Sequence, residues 1–134
     1  MSEFTDKLGI KPGQTVVVID SDNELFRKLS LEAPQDVTLQ KRILGSKVDM
    51  ILVRLWEPTN YRHLFQRLQN AITIDGSIWA VIPKKPTALA KGIGVFRDDL
   101  VEEVLKTDLV EDKTLSLTEE EYGIRFVIRR DQRK

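Results

Sequence analysis

The chain has 134 residues, 41% of them hydrophobic and 31% charged, with 7 Gly and 5 Pro: enough for one folded domain with an ordinary core, too few for a catalytic domain plus a separate substrate domain. Lys+Arg 21 balances Asp+Glu 21, so no global field draws the protein to nucleic acid or to an anionic membrane, and nucleic acid is a disfavoured partner. Cys 0 and His 1 exclude disulfides, thiolate nucleophiles, thiolate metal sites and multi-histidine metal sites.

In chain order, Met1-Ser-Glu-Phe-Thr-Asp-Lys7 has no apolar signal core and no later run approaches a membrane span, so a cytoplasmic protein with no membrane partner is expected. Leu8-Gly-Ile-Lys-Pro-Gly13 carries the Pro-Gly punctuation of a turn. It leads into Thr15-Val-Val-Val-Ile19, a β-branched run typical of a strand buried on both faces. Ser21 or Asp22 is placed to cap a following helix over about 22–31, with Leu25, Phe26 and Leu29 on one stripe and Pro34 beyond its end. Val37-Thr-Leu39 reads as a short strand, and Val48 to Trp56 as a stronger buried one that Pro58 stops.

Thr59 or Asn60 can cap an amphipathic helix over about 59–73, with Leu64, Phe65, Leu68, Ala71 and Ile72 at helical spacing. Asp75-Gly76 reads as a turn into the buried strand Ser77-Ile-Trp-Ala-Val-Ile82, stopped by Pro83. Pro83-Lys-Lys-Pro86 with Thr87, followed by Gly92-Ile-Gly94, reads as two cations and a flexible loop at the ligand edge. From Asp98 to about Lys106, Leu100, Val101, Val104 and Leu105 make a third helical stripe. Lys113 to Leu117 and Ile124 to Ile128, around Glu121-Tyr-Gly123, form a terminal antiparallel hairpin. Residues 1–134 are thus a single domain, with 131–134 a loose tail.

Alternating strands and helices ending in a hairpin imply an α/β fold: an open, mostly parallel, twisted sheet with helices on both faces and a C-terminal antiparallel hairpin. Ligands of such sheets sit beyond the carboxyl ends of the strands. Here that edge is Asp20 to Asn23, Leu39 to Lys41, Leu55 to Pro58 and Pro83 to Pro86.

Over residues 8–130 the chain resembles a shortened class I S-adenosylmethionine-dependent methyltransferase, a Rossmann-like fold. The resemblance lies in the Lys-Pro-Gly-Gln-Thr-Val-Val-Val-Ile-Asp20 entry, in Val48-Asp-Met-Ile-Leu-Val53, in Ala71-Ile-Thr-Ile-Asp-Gly-Ser-Ile-Trp79 and in the closing hairpin. Pro83-Lys-Lys85 and Gly123-Ile-Arg-Phe-Val-Ile-Arg-Arg130 further resemble a bacterial family of short, single-domain, methyltransferase-like proteins of unknown function. The resemblance implies an acid and a glycine-rich loop after the first strand. Asp20 matches the acid, but the glycine positions read Ser21, Asp22, Asn23 and Glu24. It also implies an acid for the cofactor ribose after the second strand, where Leu39-Gln-Lys-Arg42 stands instead, and Lys and Arg cannot accept hydroxyl protons.

The helix, strand and helix that the family inserts between its second and fourth strands are missing; only Gln40 to Lys47 remains. Crossing back past one strand needs about 16 Å, and eight residues reach about 26 Å. The connection is feasible but leaves part of one sheet face to be covered, either by a homodimer partner or by the loop packed down.

Asp20, Asp22 and Glu24 could touch a ribose, an amine or a metal; the alternative is helix capping and the polar exit of an interior strand. Trp56 could stack on an adenine, as could Trp79, although strand tryptophans are more often core. Leu55-Trp-Glu-Pro58 shares only its proline with the Asn/Asp-Pro-Pro-aromatic motif of nitrogen methylation. Lys84 and Lys85, with Arg97 as a second donor, could hold a phosphate or carboxylate. His63 has no nucleophile in a recognisable arrangement, and Arg125, Arg129, Arg130, Arg133 and Lys134 make a basic end without an aromatic platform. No catalytic or metal-binding residue is nominated.

The resulting expectation is a non-catalytic, methyltransferase-like interaction or small-ligand module, leaning away from an enzyme, with no cofactor and a possible homodimer partner. Two alternatives stay open. One is an S-adenosylmethionine-dependent methyltransferase with an atypical cofactor loop, its site lined by Asp20, Ser21, Trp56 and Lys84; the other is an anion or nucleotide sensor at Lys84, Lys85 and Arg97.

Overall fold

The computed structural model describes residues 3–20 and 22–132. A helix that the sequence did not announce, α1 (Glu3–Leu8), precedes the first strand. Then follow β1 (Thr15–Ile19), α2 (Glu24–Glu32), β2 (Thr38–Gln40), β3 (Val48–Arg54), α3 (Tyr61–Gln69), β4 (Ile72–Pro83), α4 (Lys85–Lys91), α5 (Arg97–Val104), β5 (Leu109–Ser116) and β6 (Glu121–Ile128). A single 3₁₀ turn, Arg130–Gln132, stands where the loose tail was expected to begin; Arg133 and Lys134 lie outside the described residues.

The six strands form one sheet in the order β2-β1-β3-β4-β6-β5. β2, β1, β3 and β4 run parallel, and β6 joins β4 and β5 antiparallel, as the terminal hairpin requires. The α/β reading of the sequence is therefore correct. β-branched residues on β1 and β3 pack on alternate faces, as the two-residue period of a strand dictates. Val17, Ile51 and Val53 join α3 and α5 on one face, where Phe65 meets Phe126 edge-on at 5.6 Å. Val16, Val18, Met50 and Leu52 join Leu8 of α1 and Leu29 of α2 on the other. Trp79 is fully buried on that second face and donates its indole N–H to the Leu8 carbonyl at 3.1 Å, which ties α1 to the sheet. It is core, not an adenine platform.

Two local expectations need correction. Asp75-Gly76 is not a turn before a strand but a bulge inside β4, where the register with β3 shifts between Val48 and Met50. Gly76 is required there because a Cβ would come within 3.0 Å of the Asp49 carbonyl oxygen. The flexible loop after Pro83 is instead α4, with Pro86 in its first turn, where a missing N–H costs nothing, and Gly92 closing it at φ 66. Of the two covers expected for the sheet face, the packed loop is the one present: Ile43 of the Gln40 to Lys47 connection sits against the α3 cluster, and Val17 is fully buried. The loop, not a bare face, covers the sheet.

Candidate functional site

The carboxyl edge of β1 and β3 collects the polar residues that could work on a ligand. Asp20 leaves β1, and its side chain is fully buried. Its two oxygens accept the backbone N–H of Asp22 at 3.1 Å and of Leu25 at 2.9 Å. Asn23, the residue before α2, adopts the left-handed conformation at φ 58 and makes no side-chain cap. Asp20 therefore caps the helix from before the turn, the work that the sequence assigned to Ser21 or Asp22. Ser21 itself lies outside the described residues. At the other crossover the expected capping is present, with Asn60 accepting the His63 N–H at 3.0 Å.

Arg54, the last residue of β3, reaches across this edge. Its Nε donates to Glu121 at 2.7 Å and its Nη1 to Asp22 at 3.1 Å, while Nη1 stands 3.8 Å from Asp20. With 15% of its side chain exposed, the guanidinium is largely withdrawn from water. Such a cation is stable only among carboxylates, and it has three. Trp56 donates its indole N–H to the same Glu121 oxygen at 2.6 Å, and its ring lies under Arg54 at 4.3 Å. Lys91, from α4, approaches that ring at 5.4 Å and pairs with Glu120 at 2.9 Å.

Around this network lies an open cleft of about 860 Å³, lined by Ile19, Leu55, Trp56 and Thr59 with Glu24 and Glu120. A smaller, more enclosed cavity of about 170 Å³, between Phe4, Leu25, Val81 and Leu117, lies alongside. Arg54 and Glu24 line both. The structure thus brings Asp20 and Trp56 to one edge, as their strand ends imply. It adds Arg54, Glu121 and Lys91, which sequence reasoning missed; the signal for Arg54 was a cation closing an otherwise apolar strand.

The three cations proposed for an anion site do not converge. Lys84 Nζ donates to the Ser116 hydroxyl at 2.7 Å, and its backbone N–H to the Glu120 carbonyl at 2.7 Å. Lys85 and Arg97 line a separate pocket of about 250 Å³ with Phe96 and Tyr122. Arg97 is already paired with Glu111, and Asp98 lies 3.8 Å away. Burial holds the Tyr122 hydroxyl above its ordinary pKa. Among the described residues no cluster of His, Asp and Glu could hold a metal, and no helix is long and apolar enough to cross a membrane.

Solved structures superpose on this fold over nearly the whole chain. A Sulfolobus solfataricus protein described as a type 11 methyltransferase superposes with a TM-score of 0.69 at 14% identity, covering 97% of this chain and 92% of that one. The fold is that of class I S-adenosylmethionine-dependent methyltransferases. The N-methyltransferase NodS of Bradyrhizobium japonicum (TM-score 0.62, 11% identity, 94% of each chain) is similar. So is a TehB-like SAM-dependent methyltransferase of Corynebacterium glutamicum (0.62, 12%, 94% of this chain and 85% of that one). No protein-family model matches the chain, and no curated protein matches it. Identities this low establish the methyltransferase-like fold and leave the chemistry to the residues themselves.

Proposed function

We propose that this chain is a non-catalytic methyltransferase-fold module whose cofactor-binding groups are engaged by its own residues, and which works by interaction rather than by methyl transfer. The observation that carries the reading is Asp20. An acid that holds a ribose or an amine must present its oxygens to the ligand, yet both oxygens here accept amides of their own loop and the side chain has no exposed surface. The surroundings support the same conclusion. Asp22 and Glu24 occupy glycine positions of the cofactor loop, and Arg54 covers the Trp56 ring on which an adenine would stack. The residues present do not fit S-adenosylmethionine held in the manner of the family.

The rival reading, methyl transfer with an atypical loop at Asp20, Ser21 and Trp56, draws on the activity named for the structural neighbours. Calorimetric titration with S-adenosylmethionine and S-adenosylhomocysteine decides between the two. No saturable heat is expected from either ligand. Micromolar binding that disappears in Asp20→Ala would overturn the non-catalytic reading. A thermal-shift series with phosphate and nucleotides, with Lys85→Ala and Lys84→Ala as controls, checks the anion-sensor alternative, for which no stabilisation is expected.

A further inference from the structure

On a chain with equal numbers of acidic and basic residues, the charges of one face are sharply segregated. Between Val37 and Val48 the only charged residues are Lys41, Arg42 and Lys47, and between Pro58 and Ala71 they are Arg62 and Arg67. Between Asp98 and Asp112, by contrast, Lys106 is the single cation among acids that include Asp99, Glu102 and Asp108. These segments share the face covered by α3, α5 and the 40–47 connection, since Ile43, Leu64 and Leu100 belong to one apolar cluster.

α3 separates the two signs. It buries Tyr61, Phe65 and Leu68. On its α5 side Arg62 acts on Glu103 and Gln69 bonds Asp108. At 3.6 residues per turn Arg67 lies on the opposite flank, towards the connection. Arg42, Lys47 and Arg67 are exposed and make no ion pair among the described residues, and the same holds for Asp99 and Glu102. Two exposed leucines accompany the strips: Leu44 (60%) among the cations and Leu105 (43%) at the end of α5.

We infer that this chain pairs with a second copy of itself through this face, the Arg42, Lys47 and Arg67 strip of each copy lying on the Asp99 and Glu102 surface of α5 in the other. A two-fold axis passing near α3 makes both contacts at once, because an isologous interface repeats each contact in reverse. The occupant is a second copy and not a polyanion because the complementary surface lies on the same molecule, while a net charge of zero gives a nucleic acid no long-range pull. The pair gives a partner to the interaction module proposed above. It rests on that reading only in placing the working surface on this face and not in the cleft.

Exposed charges hold weakly and are screened, so association should follow salt: the Debye length falls from roughly 30 Å at 0.01 M to roughly 3 Å at 1 M. Sedimentation equilibrium is expected to give the dimer mass at low salt and the monomer mass at high salt. Arg42→Glu/Lys47→Glu/Arg67→Glu and Asp99→Lys/Glu102→Lys should each be monomeric at low salt with unchanged far-UV circular dichroism. Mixing the two variants should restore a one-to-one complex. A wild-type monomer at low salt, a dimer indifferent to both charge reversals, a mixture that does not associate, or a monomer that binds heparin through the basic strip would each overturn the pairing. None of the substituted residues lines the cleft, so titration of the same variants with S-adenosylmethionine tests the non-catalytic reading independently.

Discussion

Replacing Asp20 by Ala separates an acid built for a ligand from one built into the fold. The carboxylate accepts two backbone N–H groups, from Asp22 and Leu25, and its side chain is wholly buried. Each bond is worth about 1 kcal/mol net, and loss of a helix cap costs a similar amount. Arg54 keeps Asp22 and Glu121 and is not stranded, so the loss is about 2 kcal/mol. Unfolding entropy of about 2.1 cal/mol/K per residue over 134 residues is roughly 0.28 kcal/mol/K, which converts the loss into a fall in Tm of about 7 °C. Calorimetric melting of wild type, Asp20→Ala and Asp20→Asn reads it directly. Asn keeps one acceptor oxygen and should lose about half as much. Glu24→Ala, exposed in the first turn of α2, forfeits only a helix-dipole contribution and should move Tm by about 1–4 °C. An acid retained for ligand binding is often a cost to stability. An Asp20→Ala protein melting at or above the wild-type temperature would therefore refute the capping role and revive the cofactor reading.

Two further predictions concern the body of the fold. Gly123→Ala places a Cβ 2.9 Å from Cε3 of the fully buried Trp79, which is packed against α1 and cannot withdraw; a loss of about 1–3 kcal/mol is expected in urea unfolding followed by tryptophan fluorescence, and an unchanged midpoint would refute the close approach. The chain has Tyr 2, and burial raises the hydroxyls of both Tyr61 and Tyr122 above 10.0. Their folded-state pKa exceeds the unfolded value, so the stability tied to the neutral phenols is present below pH of about 10 and is lost as pH rises through the folded pKa. Phenolate absorbance should therefore rise later in the folded protein than in urea, and coincident titrations would sink the assignment.

Most of the fold was legible locally. The Thr15–Ile19 and Val48–Val53 runs are strands buried on both faces, and Asn60 caps where its side chain suits it. Phe65 and Leu68 of α3 and Leu100, Val101 and Val104 of α5 are buried as their spacing selects, whereas Leu105 is exposed and Ile72 opens β4. The elements missed were short. α1 and α4 have six and seven residues, too few for a clear amphipathic stripe, and α1 is held by a Trp79 bond to Leu8 that spans 71 positions. The Asp75-Gly76 bulge was misread because Gly marks both turns and bulges, and only the Asp49 carbonyl opposite distinguishes them.

What the sequence determined alone is the alternation of strands and helices and the absence of a glycine cradle after β1, because periodicity and residue type are properties of neighbours along the chain. What only the tertiary structure decided is the state of the cleft. Glu121 reaches Arg54 from 67 residues away and Trp56 from 65, and Asp20 turns its oxygens inward to the amides that its own loop leaves unpaired. No local pattern encodes those encounters. They exist because the parallel strand ends and the returning hairpin converge on one edge, where a cation withdrawn from water must find its carboxylates.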